Sequence, residues 1–447
     1  MAAITQENSS YLAGLAQLDG NVPRRDYPWL SSIRRQAAER FAEIGFPTTR
    51  EEAWRHTSVA AIASASFPPA LPGGNGVSAG ILGNFLFGDT ECCNLVFVNG
   101  FLSPELSTPG ALPKGVRAGS LALALRSEPG KIEPYLARHA DFRASAFTAL
   151  NTAFMLDGGF IWLPPETALQ KIIHLIFVST AAGRGKASYP RNLIVAGSGS
   201  QASVVESYIG PAGGPYFTNA VTEIVAHDGA AVAHYRLQRE SDSAYHVSAL
   251  HVQQEENANV SCHSITIGGL LTRNDVTAVM DGAGGELTLN GLYVTRGRQH
   301  VDNHTTIVHA RPHCNSRELY KGILDDQSSG VFTGRIAVRP DAQKTNAKQT
   351  NKNLLLSQSA LVNSTPQLEI FADDVKCTHG ATIGRLDEDA LFYLRSRGIG
   401  EEAARALLTY AFAGDILSAM KIKPLQCQLD LVLLEHLSRR NGGNGEI

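Results

Sequence analysis

The chain has 447 residues, which at about 150 residues per domain leaves room for two to four structural units. Hydrophobic residues make up 43% and charged residues only 18%, a balance that builds a buried core and excludes intrinsic disorder. Lys and Arg number 39 against 42 Asp and Glu, a net charge of −3, so no overall basic balance points to nucleic acid or an anionic membrane.

Apolar runs such as Leu175–Val178 and Leu431–Leu434 fall far short of the roughly 18 residues that cross a bilayer, so no membrane association is expected. Met1–Gly20 carries Glu7 and Asp19 and lacks a basic start before an apolar stretch, so no secretory leader is expected. Six cysteines, with Cys92 and Cys93 adjacent, do not make a disulfide framework at this length, and a reduced, cytoplasmic setting fits best.

In chain order, the first element is a helix over Tyr27–Ile44. Trp29, Leu30, Ile33, Ala37, Phe41 and Ile44 recur mostly three or four residues apart, Pro28 suits a first helical position, and Gly45 stops the run. A second short helix is expected over Arg50–Ile62, and the Pro- and Gly-rich Phe67–Gly76 reads as a linker. From about Cys93 to Gly384 short β-prone runs alternate with Gly, Asn and Asp turns, among them Ile172–Val178, Ser203–Ile209, Ala220–Val225, Ala231–Leu237, His300–Val308 and Gly330–Val338. A more helical stretch, Leu121–Asp141, interrupts them. About fourteen strands over this span fit either a sandwich or a stacked solenoid. No strict repeat is visible to decide between them. In the solenoid case, Leu289–Asn290–Gly291 and Val301–Asp302–Asn303 would serve as corners.

After Gly384 three helices follow: Glu388–Arg397 behind an Asp387 cap, Glu401–Lys421 closed by Pro424, and Leu425–Arg440 before a frayed Gly-rich end at Asn441–Ile447. They are expected to form a small core of their own or a face that docks a partner.

Chemistry-bearing candidates are few. Leu193–Ala202 (LIVAGSGSQA) loosely matches a dinucleotide loop, but strand-like residues follow it where a helix is needed, so it reads as a β-turn. Gly185–Lys186 is followed by Ala187 instead of a hydroxyl residue, so there is no phosphate loop and no ATPase. His300, His304, His309, His313 and Cys314 cluster in sequence. On strands His300 and His304 share one face, as do His309 and His313, which admits a metal site of a β-helical or cupin-like enzyme. Their spacing matches neither a cupin iron site nor a zincin helix, and an interface role is the competing reading. Cys377 and His379, in Ala372–Gly384 (ADDVKCTHGATIG), leave one face of a strand together. A thiolate and an imidazole so placed are half of an iron- or sulfur-binding site, and Lys376 beside them would favour the thiolate. No Ser-His-Asp order or paired-carboxylate pattern stands out.

Thr350–Ile399 strongly resembles the SufD branch of the SufB/SufD family of the Suf iron–sulfur cluster assembly system. GFPTTREEAWRHT (Gly45–Thr57), YFTNAVTE (Tyr216–Glu223), QHVDNHTTIVHARPHCNSRELYKG (Gln299–Gly322) and VFTGRIAVRPDAQK (Val331–Lys344) resemble the same family, so the likeness spans nearly the whole chain. The resemblance implies a right-handed parallel β-helix flanked by helical regions, with residues 1–76 as the N-terminal part, 77–384 as the core and 385–447 as the C-terminal part. It implies a scaffold without catalysis of its own, pairing with SufB through the β-helix and with the SufC ATPase through the C-terminal helices, at Leu391, Tyr393, Leu394, Leu408 and Phe412. Alone, the chain would form a homodimer. His379, with Cys377 in a less certain role, falls on the family's Cys-x-His positions at the SufB interface and would contribute to a transient iron or iron–sulfur cluster completed by the partner. The family pattern carries no firm role onto the His300–Cys314 cluster. The chain lacks a Cys-x-x-Cys, a departure from SufB, so no stably bound cofactor is expected.

Overall fold

Between Arg191 and Gly384 each turn of chain lays one strand in each of two sheets, and the next turn stacks on it in parallel. The result is a β-helix of about eight turns, seen in a computed structural model that describes residues 6–21, 27–73, 77, 79–87, 91–210 and 213–438. The first sheet runs from the short strand Phe101–Leu102 through Cys92–Val98 and Ile172–Val178 to Asn346–Leu355 and Lys376–Gly384. The second runs from Arg117–Ser120 through Gly159–Leu163 and Arg191–Ala196 to Ser329–Val338 and Leu361–Ile370. Residues 201, 231, 259, 286, 315, 346 and 376 stack in one column, each 27 to 31 residues after the last. That uneven rung length hides the repeat in the sequence.

The corners absorb the variation. Gly199, Gly229, Asn257, Gly284, His313 and Lys344 all take left-handed φ between 55° and 74° at one corner of successive turns. Each donates its backbone N–H to a carbonyl of the next corner, at 2.7–3.2 Å, in a ladder running from Gly199 on Asp228 to Lys344 on Asp374. Glycine adopts this conformation without steric cost, and asparagine tolerates it better than most residues. The expected corners at Asn290–Gly291 and Asp302–Asn303 lie instead inside the strands Glu286–Thr295 and His300–His309. There the Asn303 amide oxygen is satisfied by a side chain of a neighbouring rung: Asn274 donates to it at 3.0 Å.

One half of the interior is apolar, with Ile161, Ile194, Val204, Ile224, Val232, Val260 and Ile307 among its residues. Phe97, Phe177 and Tyr208 stand in register on three rungs, with ring centroids 4.9 and 4.8 Å apart, which is the strand spacing itself. The other half is polar. Buried Glu206 accepts hydrogen bonds from Tyr208 and Thr222 and pairs with His234 at 3.1 Å, while Arg236 donates to Ser264 and Ser248.

The helix Pro28–Ile44 forms as the periodicity predicts and ends at Gly45 with φ 65°. Arg50–Ile62 does not form one helix. It is a single turn at Glu52–Trp54 and a short helix at Ala60–Ala65, because the segment is fixed by bonds to the β-helix more than by its own ladder. In the supposed linker, Phe67 and Ala70 are buried and Pro69 bridges Ala187, whereas residues 74–76 lie outside the described residues. Leu121–Asp141 contains only the helix Leu121–Ser127 and a following turn. A helix absent from the sequence reading, Ala146–Phe154, is buried on every side and capped by Ser145. No described helix is long and apolar enough to cross a membrane.

The C-terminal helices are Glu388–Ser396, capped by the Asp387 carboxylate, then Glu401–Ser418 and Lys423–Ser438. Pro424 opens the last of these and does not close the one before. Residues 439–447, with the expected frayed end, lie outside the described residues. The helices do not build a core of their own. Ile416, Leu417, Met420, Leu425, Leu429 and Leu433 close over Tyr235, Leu237, Ile265, Leu292 and Ile323 on the outer face of the first sheet.

Candidate functional site at the last rung

The strands Leu361–Ile370 and Lys376–Gly384 are the last of their sheets, and each pairs on one side only. Earlier strands such as Phe217–Ala226 are buried throughout, but Lys376–Gly384 is mostly exposed and Leu361–Ile370 is half-buried to exposed, with Leu361 65% and Ile383 53% accessible, and Phe371 just past the strand 65%. The rung is held in register at its corner. Lys344 donates its backbone N–H to the Asp374 carbonyl at 2.7 Å, its ammonium pairs with the Asp374 carboxylate, and the Asp374 N–H donates to the Gln343 side chain at 2.9 Å. This staple gives a role to Asp374, the second of the paired acids in the ADDVKCTHGAT block.

Two residues past that corner, Cys377 lies in register with Ala347 and packs against the interior cluster, half-buried. His379 lies in register with buried Gln349 on the same strand face and is exposed, because no further rung covers it. The pair therefore stands at the open mouth of the interior. Burial raises the Cys377 thiol above its ordinary range, and the Ala347 backbone offsets this in part. Lys376 does not favour the thiolate as its sequence position suggested: strand alternation sends its side chain to the opposite face. Two donors on one face can hold one edge of a tetrahedral ion. Among the described residues no three His, Cys, Asp or Glu side chains converge as ligands.

The histidines at 300–313 do not come together. His300 and His304 do share the outer face of the second sheet, where they work in a docking network. His300 bonds Thr57 at 2.9 Å and Ser329 at 2.7 Å, and His304 meets Asp302 at 3.1 Å. Asp302 also accepts from Thr57 and from Arg273, whose guanidinium covers the Trp54 ring at 4.2 Å. Glu51–Thr57 is thereby fastened to the β-helix, which accounts for the REEAWRHT motif. His309 points the other way, into the interior, with Nε2 on Ser316 at 2.9 Å and its pKa pushed down to about 4 by burial. His313 does not share that face. It is an exposed corner residue at φ 62°, and Cys314 is buried against the Gly282 carbonyl. The ligand set of the enzyme alternative is thus dispersed over three surfaces.

Among the C-terminal candidates, Leu391 is buried, and Leu394, Leu408 and Phe412 are half-buried. The Phe412 carbonyl accepts from Lys321 at 2.7 Å. Tyr393 is exposed, and so are Phe392 (72%) and Leu407, of which Phe392 was not singled out in the sequence. Sequence reasoning also missed Gln349 and Glu318, which lie in register directly beneath His379. Only the 27–31-residue rung length, once known, reveals them.

The sequence comparisons agree with this architecture. The family model for the SufBD core domain of the SUF iron–sulfur cluster assembly system matches residues 177–412, and the model for the SufBD N-terminal region matches residues 5–175. The chain belongs to the SufBD family. An iron–sulfur cluster assembly SufBD family protein of Synechocystis is 34% identical over 90% of this chain and 89% of its own length. SufD of Escherichia coli is 29% identical over 88% of this chain and 90% of its own length. The chloroplastic protein ABCI7 of Arabidopsis thaliana is 30% identical over 89% of this chain and 84% of its own. The SufBD match covers both the helical N-terminal region and the β-helix.

Proposed function

We propose that this chain is a SufD-type scaffold subunit, without catalysis of its own, that helps to assemble iron–sulfur clusters in the cytoplasm. Its last rung would pair with a SufB-type β-helix, and its C-terminal helices, with Phe392, Tyr393 and Leu407 outward, would dock a SufC-type ATPase. The observation that carries this reading is the coincidence of the open sheet ends with the Cys377–His379 pair: the surface best suited to continue a β-structure into another chain also presents two soft donors. Iron and sulfide are here substrate. His379 supplies an imidazole nitrogen and Cys377 a thiol that must lose its proton to bind, with the remaining ligands from the partner. Without that partner, the exposed edge would pair with a second copy of itself.

The test is anaerobic co-expression with SufB- and SufC-type partners and purification through this chain, followed by iron and sulfide addition. The wild-type complex should gain visible cluster absorbance, and a His379→Ala complex of unchanged subunit ratio should not. Normal absorbance in that variant complex would overturn the site assignment.

A further inference from the structure

Beneath the open mouth lies a carboxyl group that the assembly reading does not use. Glu318 faces the interior one rung below Gln349, which lies in turn one rung below His379. At the spacing of parallel strands this puts the Glu318 and His379 backbones roughly 10 Å apart. Glu318 is 2% exposed and has no cationic partner: its Oε2 accepts from Gln349 Nε2 at 2.7 Å. Its Oε1, the Gln349 Oε1, the Thr305 hydroxyl and the Asn303 Nδ2 are buried without hydrogen-bond partners. Four orphaned polar atoms in neighbouring rungs are what ordered interior water satisfies. The titratable groups facing this carboxyl are Tyr320 on its own strand and His309 on the opposite sheet, the latter held neutral by burial. Lys321, next to Tyr320, points outward to Asp415. The facing Thr305 hydroxyl and the Gln349 amide stabilise its charge only in part, so burial, the largest influence, raises its pKa to about 7.

We propose that Glu318 is the charge-compensating group of the Cys377–His379 end, carrying a proton while the end is empty and releasing it to interior water, past Gln349, when a cation arrives. This rests on the reading of that end as a cation-accepting one. The carboxylic acid becomes a carboxylate, the proton leaves to solvent at the open mouth, and one negative charge then sits beneath the bound cation. A net charge of about +1, the divalent ion less the Cys377 thiolate, roughly 10 Å away at an effective dielectric of about 20 lowers a carboxyl's titration midpoint by about one pH unit.

An anaerobic infrared pH titration of the complex with the SufB-type partner, with and without Fe(II) as the sole metal, reads this directly. Fe(II) binding is measured in parallel by calorimetry. A buried carboxylic-acid band is expected to titrate near neutral pH, to vanish in Glu318→Gln, and to move down by about one pH unit with Fe(II). In His379→Ala the band should persist and no longer respond. Should Glu318→Gln fail to fold, Glu318→Asp, with a retracted carboxyl, should shift the band's midpoint. A band titrating in the ordinary carboxylate range, or one unmoved by Fe(II) that calorimetry shows to be bound, overturns the proposal while leaving the scaffold reading intact. Absence of Fe(II) binding by the wild-type complex overturns both.

Discussion

Replacing Arg191 with methionine tests how the N-terminal region is tied to the β-helix. Arg191 and Glu223 are both fully buried on the outer face of the second sheet, and their side chains meet at 2.7 Å. Arg191 also donates to Asn151 and Thr152, while Glu223 accepts the backbone N–H groups of Ala137, His139 and Ala140. One ion pair thus joins the helix Ala146–Phe154 and the 137–140 turn to the second sheet. Removing the cation strands a buried carboxylate, which costs about 3–5 kcal/mol. Hydrogen exchange at Ala137, His139 and Ala140 should accelerate by roughly 10²- to 10³-fold or more if these amides exchange through local opening. The pH dependence has a definite sign. Burial alone would raise the Glu223 pKa, but the Arg191 charge and the backbone donors hold it below the ordinary carboxylate range. In the wild type the pair's contribution is present above the unfolded pKa and is lost as pH falls through the lower folded value. In Arg191→Met only burial and the amides remain and the folded pKa rises, so the variant's deficit should be largest at pH 7 and shrink toward pH 4.5. Adding Glu223→Gln, which removes the stranded charge and keeps a side-chain oxygen for those amides, should restore most of the loss. Unchanged exchange in the single variant, or a double variant no better than the single, would refute the reasoning.

Truncation after Gly384 should expose Tyr235, Leu237, Ile265, Leu292 and Ile323 and yield an aggregating chain, measured by light scattering against the full-length protein. A monodisperse truncated β-helix would show that the helices contribute no essential cover. Iodoacetamide at neutral pH should modify exposed Cys427 first and half-buried Cys377 more slowly, with Cys93, Cys262 and Cys314 reacting only on unfolding. Site-resolved mass spectrometry reads the order, and Cys377 reacting before Cys427 would contradict the raised thiol.

Much of the fold was legible because strands such as Ile172–Val178 and Phe217–Ala226 carry dense β-branched residues, and Asp387 and Gly398 bracket the first C-terminal helix. The strands Asn315–Leu324 and Asn346–Leu355 were missed because Arg317, Lys321, Lys348 and Lys352 decorate their outer faces, and their inner faces carry Glu318, Gln349, Asn351 and Asn353. Binary patterning fails where an interior is itself polar. The helix Ala146–Phe154 was missed because it is only nine residues long and its polar Thr148, Asn151 and Thr152 are buried with its apolar residues, so no charged solvent-facing side marks it. That Cys377 and His379 share one strand face was legible because strand alternation alone places them together. Glu318 and Gln349 were not, since their neighbours along the chain say nothing of their neighbours one rung away. The histidines at 300–313 misled because closeness in sequence, across a strand and a corner, means different faces in space.

The β-helix begins differently from how it ends. At its start both sheets finish on short antiparallel strands, Phe101–Leu102 and Arg117–Ser120, which turn the chain back and leave no parallel template. At its finish both sheets stop mid-pattern. A body that can be extended from one face and not the other joins a single neighbour, and two such bodies meeting face to face use up both of their templates. On the proposed pairing, the asymmetry sets a stoichiometry: such edges close on a pair and do not propagate into the fibre that an uncapped stack of parallel rungs would otherwise nucleate.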